Sequence, residues 1–259
     1  MTNLIEAALE GNLAAVKAML AEGAAPDVQD SDGNTALIWA ANNGHLAIVV
    51  ALLDNGATLD IQDSDGNTAL ILAAYEGHTT IVNVLMAKGA ALDLQDNDGN
   101  SALLGSACSG HTEVVEVLLA RGAALDLRNS DGNTALIWAA RNGHNMIVED
   151  LLAKGAAVDL QDNDGNNALI WAAYSDHPAI VEALLAKNAA LELRDSDGNT
   201  ALILAAVFGH TAIVKALLAK GAAIDAQDNS GDTALICAAR EGHMAIVKLL
   251  EAKQRQPAA

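Results

Sequence analysis

The sequence contains few aromatic residues and few cysteines. Aromatic side chains make up 2% of its 259 residues, although hydrophobic residues make up 52%. The apolar residues are therefore mainly Ala, Leu, Ile and Val, which favour short, closely packed helices over a core built on bulky rings. Two cysteines do not provide the framework of a small disulfide-rich secreted protein.

Positive charge is also scarce. The chain has 14 Lys and Arg residues against 33 Asp and Glu residues, which gives a formal net charge of −19. Nucleic acids and anionic membrane surfaces both require a basic footprint, so we expect neither as a ligand. An acidic surface of this strength suits a protein partner with a basic surface. A solvated acidic surface without any partner is the simpler interpretation of the same charge.

Long apolar runs and a secretory signal are absent as well. No uninterrupted apolar run in the sequence approaches the roughly 18 residues of a membrane span. The opening segment MTNLIEAALEGN is polar and acidic and has no apolar signal core. The sequence therefore predicts a cytoplasmic protein that is not associated with membranes.

The sequence does contain one pattern that returns every 33 residues. The segment DGNTALIWAANNGH begins at Asp32, and related segments begin at Asp65, Asp98, Asp131, Asp164, Asp197 and Ser230. A second block of the type xxIVxxLLAKGAAxDxQ follows each of them. We therefore predict a single domain over residues 1–259. Its eight repeats span 1–29, 30–62, 63–95, 96–128, 129–161, 162–194, 195–227 and 228–259.

The local signals within one repeat predict two short helices and a loop. Thr35 follows a tight-turn signal and can cap a helix over 36–43, which Gly44 ends. Apolar residues at helical spacing predict a second helix over about 46–54, and the stretch 57–65 then forms an extended hairpin. Neither helix is long enough to be stable alone in water. Each must therefore bury its apolar face against the next copy.

These segments resemble the ankyrin repeat family, whose pattern DxxGxTPLHxAAxxGHxxIVxxLLxxGA has the same period and matches along the whole chain. The resemblance implies an all-α solenoid of stacked helix–turn–helix repeats with projecting β-hairpin loops. The family's TPLH reads TALI here, so that Ala36 and Ile38 replace proline and histidine. The asparagine that hydroxylases modify in some members is absent, because acidic residues occupy its position: Asp60, Asp93, Asp126, Asp159, Glu192 and Asp225.

The two end repeats depart from the pattern in ways that predict caps. Glu6, Glu10 and Asn12 make the first face polar, and Gln254 replaces the glycine that stops the second helix elsewhere. Solenoids need polar terminal repeats for solubility. We therefore expect the chain to be a complete protein and a monomer.

The sequence offers no obvious catalytic or metal site. Its seven histidines occupy one position in successive repeats, and stacked helices about 8–10 Å apart hold them too far from one another to share a zinc ion. The resemblance implies that this histidine bonds to backbone between the two helices. Cys108 and Cys237 lie about four repeats apart, too far to be bridged. The DSDGN turns lack the ligand spacing of a calcium loop. We predict no enzyme activity, cofactor or metal.

The resemblance places the first helices on a concave surface, and every aromatic residue falls on a predicted first helix. Trp39, Trp138 and Trp171 share one position, where packing between helices is the expected role. Tyr75, Tyr174 and Phe208 lie at the variable end of the helix, where exposed aromatics would anchor a partner. We predict that a protein partner contacts ten residues at this end: Tyr75, Glu76, Cys108, Ser109, Arg141, Asn142, Tyr174, Ser175, Val207 and Phe208.

The predicted function is a protein–protein interaction scaffold or adaptor. The alternative is a structural or inhibitory subunit of one fixed complex. The least regular part of the pattern lies in the middle, where Gly105 and Ser106 replace a bulky residue and an alanine. Further on, Asp176 and Asn188 replace turn glycines, and Pro178 follows a histidine. Drift with local repacking and a specialised site both explain these departures.

Overall fold

The computed structural model describes residues 3–255. Its helices fall into two compact halves, an N-terminal half (Met1–Ser130) and a C-terminal half (Asp131–Ala259). The described residues form sixteen α-helices, and none of these helices has the length and apolar character needed to cross a membrane. The assignment of the whole chain to a single domain stays a prediction.

Each half contains four pairs of helices. The helices of the N-terminal half are α1 Leu4–Leu9, α2 Leu13–Ala21, α3 Ala36–Asn42, α4 Leu46–Asp54, α5 Ala69–Tyr75, α6 Thr79–Ala87, α7 Ala102–Ser109 and α8 Thr112–Ala120. Those of the C-terminal half are α9 Ala135–Asn142, α10 Asn145–Lys154, α11 Ala168–Tyr174, α12 Pro178–Ala186, α13 Ala201–Val207, α14 Thr211–Ala219, α15 Ala234–Arg240 and α16 Met244–Gln254. The predicted all-α class is confirmed.

The local signals place the helix ends almost where the sequence predicts them. Thr35 has an extended backbone, and its Oγ1 accepts a hydrogen bond from the Ile38 N–H at 3.2 Å, so it caps α3. The helix ends one residue earlier than predicted, at Asn42, with Asn43 as its C-cap. Gly44 follows in the left-handed region (φ 76°). The second helix, α4, begins and ends where it was predicted.

Helices of successive repeats pack against each other in two rows. In the N-terminal half α1, α3, α5 and α7 form the row of first helices, and the C-terminal half repeats this arrangement with α9, α11, α13 and α15. The second helices form the other row and contact the first helices of their own repeats. The TALI segment supplies the core, since Leu37 and Ile38 are each 1% exposed. Replacing the family's histidine with Ile38 therefore adds apolar burial.

The predicted hairpins are tight turns with little strand. Among the described residues the only isolated bridges pair Gln95 with Ser101 and Gln227 with Thr233. In the turn that begins at Asp30, the carboxylate Oδ1 accepts the N–H groups of Asp32 at 3.0 Å and Asn34 at 2.9 Å. The first aspartate of each DSDGN or DNDGN segment therefore holds a turn, which supports the turn-forming interpretation over a calcium loop.

The repeated histidine connects neighbouring repeats. His78 Nε2 lies 3.0 Å from the carbonyl oxygen of Asn42, at the end of the first helix of the preceding repeat. The same contact joins four further pairs: His45 with Leu9, His177 with Arg141, His210 with Tyr174 and His243 with Val207. The expected bond to backbone is present, but its acceptor belongs to the preceding repeat. The structural role of the histidine is thus to hold two repeats together.

The acidic residues in place of the family's asparagine also join repeats. Asp60 Oδ1 accepts the N–H of Ala91 at 3.1 Å, and Glu192 Oε1 accepts the N–H of Ala223 at 2.9 Å. Each acceptor lies 31 residues before its donor. A carboxylate oxygen accepts this N–H as well as an amide oxygen would, so the substitution preserves the contact.

The end repeats carry both polar caps and exposed apolar side chains. Glu6 is exposed and completes a capping box with Asn3, while Asn12 caps α2. Beside these residues, Leu9 is exposed and lines an apolar cleft of about 600 Å³ together with Trp39. At the other end, Gln254 continues α16 where a glycine would stop it.

Two turn positions that elsewhere hold glycine hold other residues in the C-terminal half. Asp176 and Asn188 have φ angles of 58° and 60°, in the left-handed region that glycine occupies in the other repeats. Asp and Asn tolerate this conformation better than most residues. Pro178 is the first residue of α12, where its fixed φ angle is favourable.

Candidate partner-binding groove

The ten predicted partner-binding residues lie at the C-terminal ends of five first helices, two on each of α5, α7, α9, α11 and α13. In the N-terminal half, Tyr75 and Glu76 are exposed at the end of α5, and half-buried Cys108 and exposed Ser109 end α7. In the C-terminal half, Arg141, Ser175 and Val207 are half-buried, whereas Asn142, Tyr174 and Phe208 are exposed.

Four of the ten residues share one cavity in the C-terminal half. We call this cavity of about 420 Å³ the aromatic groove. It is lined by Arg141, Asn166, Trp171, Tyr174, Asp195, Asp197, Asn199, Leu204, Val207 and Phe208. Within the described part of the chain, Asn142 and Ser175 lie outside this lining. The groove therefore combines residues from α9, α11 and α13 with turn residues that were not predicted to belong to a site.

The packing of successive first helices explains why these residues meet. A residue in the last turn of one first helix lies beside a residue of the next first helix that is 30 positions later in the sequence. Arg141 contacts Trp171 in this way, and Tyr174 and Leu204 line the groove together. The repeat length alone gives a spacing of 33 residues, so comparison of equivalent positions does not reveal these pairs.

Arg141 is fixed between two tryptophan rings. Its guanidinium carbon lies 4.1 Å from the ring centroid of Trp171 and 5.1 Å from that of Trp138. Both distances fall within the range of cation–π attraction. Trp171 is itself held in place, because its Nε1 donates to Asp162 Oδ2 at 2.8 Å. The predicted packing role of this tryptophan is thus joined by a second role, that of supporting a charged group in the groove.

Edge-to-face contacts extend the aromatic surface away from Trp171. Its ring centroid lies 5.7 Å from that of Tyr174, with an interplanar angle of 86°. Tyr174 in turn lies 4.8 Å from Phe208 at 75°. Such geometry is favourable for aromatic pairs. Tyr174 and Phe208 nevertheless remain 46% exposed each, so much of their surface is open to a partner.

Acidic residues also line the aromatic groove. Asp195 is occupied by its own turn, since its Oδ1 accepts the N–H of Asp197 at 3.0 Å and that of Asn199 at 2.7 Å. Asp197 is exposed, and its carboxylate makes no hydrogen bond with any described residue. This carboxylate can therefore receive a donor from outside the chain.

The turn aspartate Asp30 shows how hydrogen bonds affect the ionisation of a carboxylate. Burial by itself raises the pKa of Asp30, but hydrogen bonds outweigh it and the net pKa is lowered from 3.8. The indole N–H of Trp39 donates at 3.0 Å, and the N–H groups of Asn34 and Asp32 donate as well. The carboxylate of the turn is consequently charged at neutral pH.

The ring of Tyr75 lies beside Gly105, which departs from the repeat pattern. A Cβ atom added at Gly105 would lie 3.4 Å from the ring of Tyr75, in ordinary van der Waals contact. Tyr75 is 51% exposed. Ser106 is fully buried, and its hydroxyl donates to the Leu103 carbonyl at 3.0 Å. A small side chain at position 105 would therefore fit beside Tyr75 without a clash.

Only one group of metal-ligating side chains occurs among the described residues. Ligand atoms of Asp228, Asp232 and Cys237 lie within 4.8 Å of one another. Burial is the largest cause that raises the pKa of the Cys237 thiol, and both carboxylates raise it further. Asp232 also forms an ion pair with Arg240. A protonated thiol and an engaged carboxylate make this cluster a poor metal site.

Comparison with known proteins agrees with this architecture. The model of ankyrin repeats in three copies matches five overlapping segments: 4–96, 79–162, 103–195, 141–228 and 169–257. The chain belongs to the ankyrin repeat family.

Solved structures support the same fold. The ankyrin repeat domain of human ASB11 superimposes with a TM-score of 0.75 and 31% sequence identity, over 85% of this chain and 98% of that chain. In total 622 chains of solved structures match. The comparison with curated protein sequences returned no match. Because so many chains share the fold, the function must be argued from the residues of the groove.

Proposed function

We propose that this ankyrin repeat protein is a scaffold or adaptor that binds a partner protein on its first helices, with the aromatic groove as the main anchoring site. Ankyrin repeats are in general protein–protein interaction modules, and the fold is typically not enzymatic. The observation that carries the proposal is the exposure of Tyr174 and Phe208 beside a cavity of about 420 Å³. Exposed aromatics next to a cavity are favoured anchors at interfaces.

Selection for stability does not explain this surface. Elsewhere the chain has few aromatic residues, and the equivalent end positions of other repeats hold polar residues such as Asn42 and Asn43. The fold therefore does not require a ring at these positions. Aromatic surface that is exposed without a structural need is best explained by a partner that covers it.

The charge of the chain supports a partner with a basic surface. The net charge is −19, and exposed turn aspartates such as Asp164 and Asp197 lie on or near the groove. Such a field accelerates the approach of a cationic protein and acts mainly on the association rate. The groove then provides most of the binding free energy through apolar contact.

A comparison of matched variants tests the proposal. The full chain, the Tyr174→Ala/Phe208→Ala variant and a Met146→Ala control are used to capture proteins from the source cells, followed by Kd measurement for each captured protein. Met146 is 63% exposed on α10, outside the groove lining, so it controls for loss of exposed apolar surface. Truncation of an anchor costs about 2 kcal/mol, or roughly 30-fold in Kd.

The expected result is a partner that the double variant binds at least about 30-fold more weakly, while the control binds it normally. All three proteins should remain folded, although the double variant loses the edge-to-face contacts of Tyr174 and Phe208 and should melt at a somewhat lower temperature. Equal binding by the double variant and the control would contradict the proposal. Loss of binding in Asp164→Asn/Asp197→Asn alone would place the site on the turns instead.

A further inference from the structure

We propose that the Arg141 guanidinium is a preformed receptor for a carboxylate, so that the docking segment of the partner carries an acidic residue next to an apolar one. This inference rests on the proposed function and specifies the chemistry that the aromatic groove recognises. It differs from what the net charge alone suggests, since an acidic chain would be expected to bind only basic groups.

The position of Arg141 is fixed before any partner arrives. Its guanidinium carbon lies 4.1 Å from the Trp171 ring and 5.1 Å from the Trp138 ring. Trp171 is anchored through its Nε1 to Asp162 at 2.8 Å, and Asp162 is buried. Freezing a flexible side chain is one of the costs of association, and the two rings reduce this cost for Arg141. Stacking also leaves the edge of the guanidinium, where its N–H donors lie, open to a ligand.

The side-chain donors of Arg141 have no acceptor in the described part of the chain. Apart from the bonds of its helix, this residue takes part in one hydrogen bond there, between its carbonyl oxygen and His177. Arg240 occupies the equivalent position three repeats later and behaves differently, because it pairs with Asp232. The residue equivalent to Asp232 in the repeat of Arg141 is Asn133, which has no charge. Arg141 is thus a cation in the groove, and its guanidinium forms no ion pair with a described residue.

Local and long-range electrostatics act at different distances here. The net charge of −19 steers a partner over the Debye length of roughly 8–10 Å. At contact, the nearest fixed charge decides which group is accepted, and a planar guanidinium matches a carboxylate through two parallel hydrogen bonds. A partner with a basic surface and one acidic anchor residue satisfies both conditions.

The other charges of the groove favour a carboxylate over a phosphate. Asp195 and Asp197 line the same cavity as Arg141. These two negative charges penalise a dianion more than a monoanion. A phosphorylated segment would therefore gain less from Arg141 than an Asp or Glu side chain would.

The apolar surface next to Arg141 defines the second feature of the segment. Tyr174, Phe208 and Val207 line the groove beyond Trp171, and the two rings are 46% exposed each. A large apolar side chain that is close in sequence to the acidic residue would cover these rings. The combination predicts an acidic residue and an aromatic or large aliphatic residue within one short segment.

Selection from a random dodecapeptide phage library tests the inference without a known partner. The library is selected on the full chain and on Arg141→Gln, Arg141→Lys, Phe208→Ala and Arg121→Gln. Arg121 is the exposed C-cap of α8 and serves as the matched control for loss of an arginine. Arg141→Lys keeps the charge but not the planar donor geometry. Circular dichroism and thermal denaturation show that each variant is folded.

The expected peptides from the full chain contain Asp or Glu near a large apolar residue, and this acidic preference disappears with Arg141→Gln but persists with Arg121→Gln. For one synthetic peptide, exchange of the acidic residue for its amide should weaken binding about tenfold or more. That exchange should have little effect on the affinity of the peptide for the Arg141→Gln variant. A phosphoserine at the same position should bind more weakly than the acidic residue, and tighter binding would overturn the choice of carboxylate.

The failure of the inference and that of the proposed function give different results. Peptides that lose affinity in Phe208→Ala but show no acidic preference would overturn the role of Arg141 and leave the groove as a binding site. Selection of acidic peptides on the Arg141→Gln variant would also overturn the role of Arg141. If no selected peptide is weakened by Phe208→Ala, the proposed function fails and this inference fails with it.

Discussion

The glycine after each first helix should be more sensitive to substitution than the glycine after the second helix of the same repeat. Gly44 and Gly56 have φ angles of 76° and 85°, so alanine at either position adopts an unfavourable left-handed backbone. That cost is about 1–2 kcal/mol. The surroundings of the two positions differ. A Cβ atom at Gly44 would lie 2.7 Å from His78 Cε1, whereas nothing lies within 4 Å of a Cβ at Gly56.

The contact at Gly44 adds a second penalty. To make room, the imidazole of His78 must move away from the Asn42 carbonyl, to which it is bonded at 3.0 Å. Loss of this hydrogen bond costs about 1 kcal/mol. We therefore expect Gly44→Ala to lower the free energy of unfolding by about 2–3 kcal/mol, and Gly56→Ala by about 1–2 kcal/mol.

The chain itself shows how a side chain is accommodated at this position. Asp176 occupies it in the C-terminal half, with φ reduced to 58°. Its Oδ1 lies 3.4 Å from Nδ1 of His210, and the His210 bond to the Tyr174 carbonyl is kept at 3.1 Å. Alanine offers no such polar contact, so we expect no compensation at Gly44.

Guanidinium denaturation followed by circular dichroism measures the effect, with the slope m compared between variants to detect loss of cooperative unfolding. The variants are Gly44→Ala, Gly56→Ala, His78→Ala and the double variant at 44 and 78. In the double variant the penalty of Gly44→Ala should shrink by about 1 kcal/mol, because the imidazole is gone. Equal losses for the two glycine variants, or strictly additive effects in the double variant, would refute the role assigned to His78.

Two further predictions concern Gly105 and Asp30. Gly105→Ala should raise the free energy of unfolding by about 0.5–1 kcal/mol, because its Cβ would meet the Tyr75 ring at an ordinary 3.4 Å; a lower melting temperature than that of the wild type would contradict this. The pKa of Asp30 is lowered in the folded state from 3.8, so its ionised form adds stability above that value, and this stability is lost as the pH falls through the lower folded pKa. Asp30→Asn should therefore be less stable than the wild type at pH 7, and the difference in melting temperature should shrink in acid; a constant difference would argue against it.

The sequence predicts the regular parts of the fold well because each of its signals acts locally. The second helix of the second repeat is found at Leu46–Asp54, and Thr35 caps the first helix as predicted. Caps, turn glycines and helical spacing depend on residues within a few positions of each other. Because these signals agree over seven copies, the amino-acid sequence alone is sufficient to assign the family.

The contacts between repeats could not be predicted from local sequence signals. The histidine bonds 36 residues back, to the preceding repeat, and the groove pairs Arg141 with a tryptophan 30 residues ahead. Neither separation equals the repeat length, since each depends on the offset between packed helices. The prediction selected Arg141, Tyr174, Val207 and Phe208 but assigned Trp171 to packing and left out Asp195 and Asp197, which line the same cavity. Comparing each residue with the one 30 positions later would have paired Arg141 with Trp171.

The structure separates the residues that hold repeats together from those available to a partner. His78, Asp60 and the turn aspartates bond to neighbouring repeats or to their own turns, so their identity is constrained within each half. The end of the first helix offers only its backbone carbonyl to the histidine, and its side chains differ from repeat to repeat. Substitutions there leave the bonds of the histidine and of the turn aspartates in place. A stack built in this way can acquire a site such as the aromatic groove, with a cation held between two indole rings, while the ladder of contacts that stabilises it stays the same.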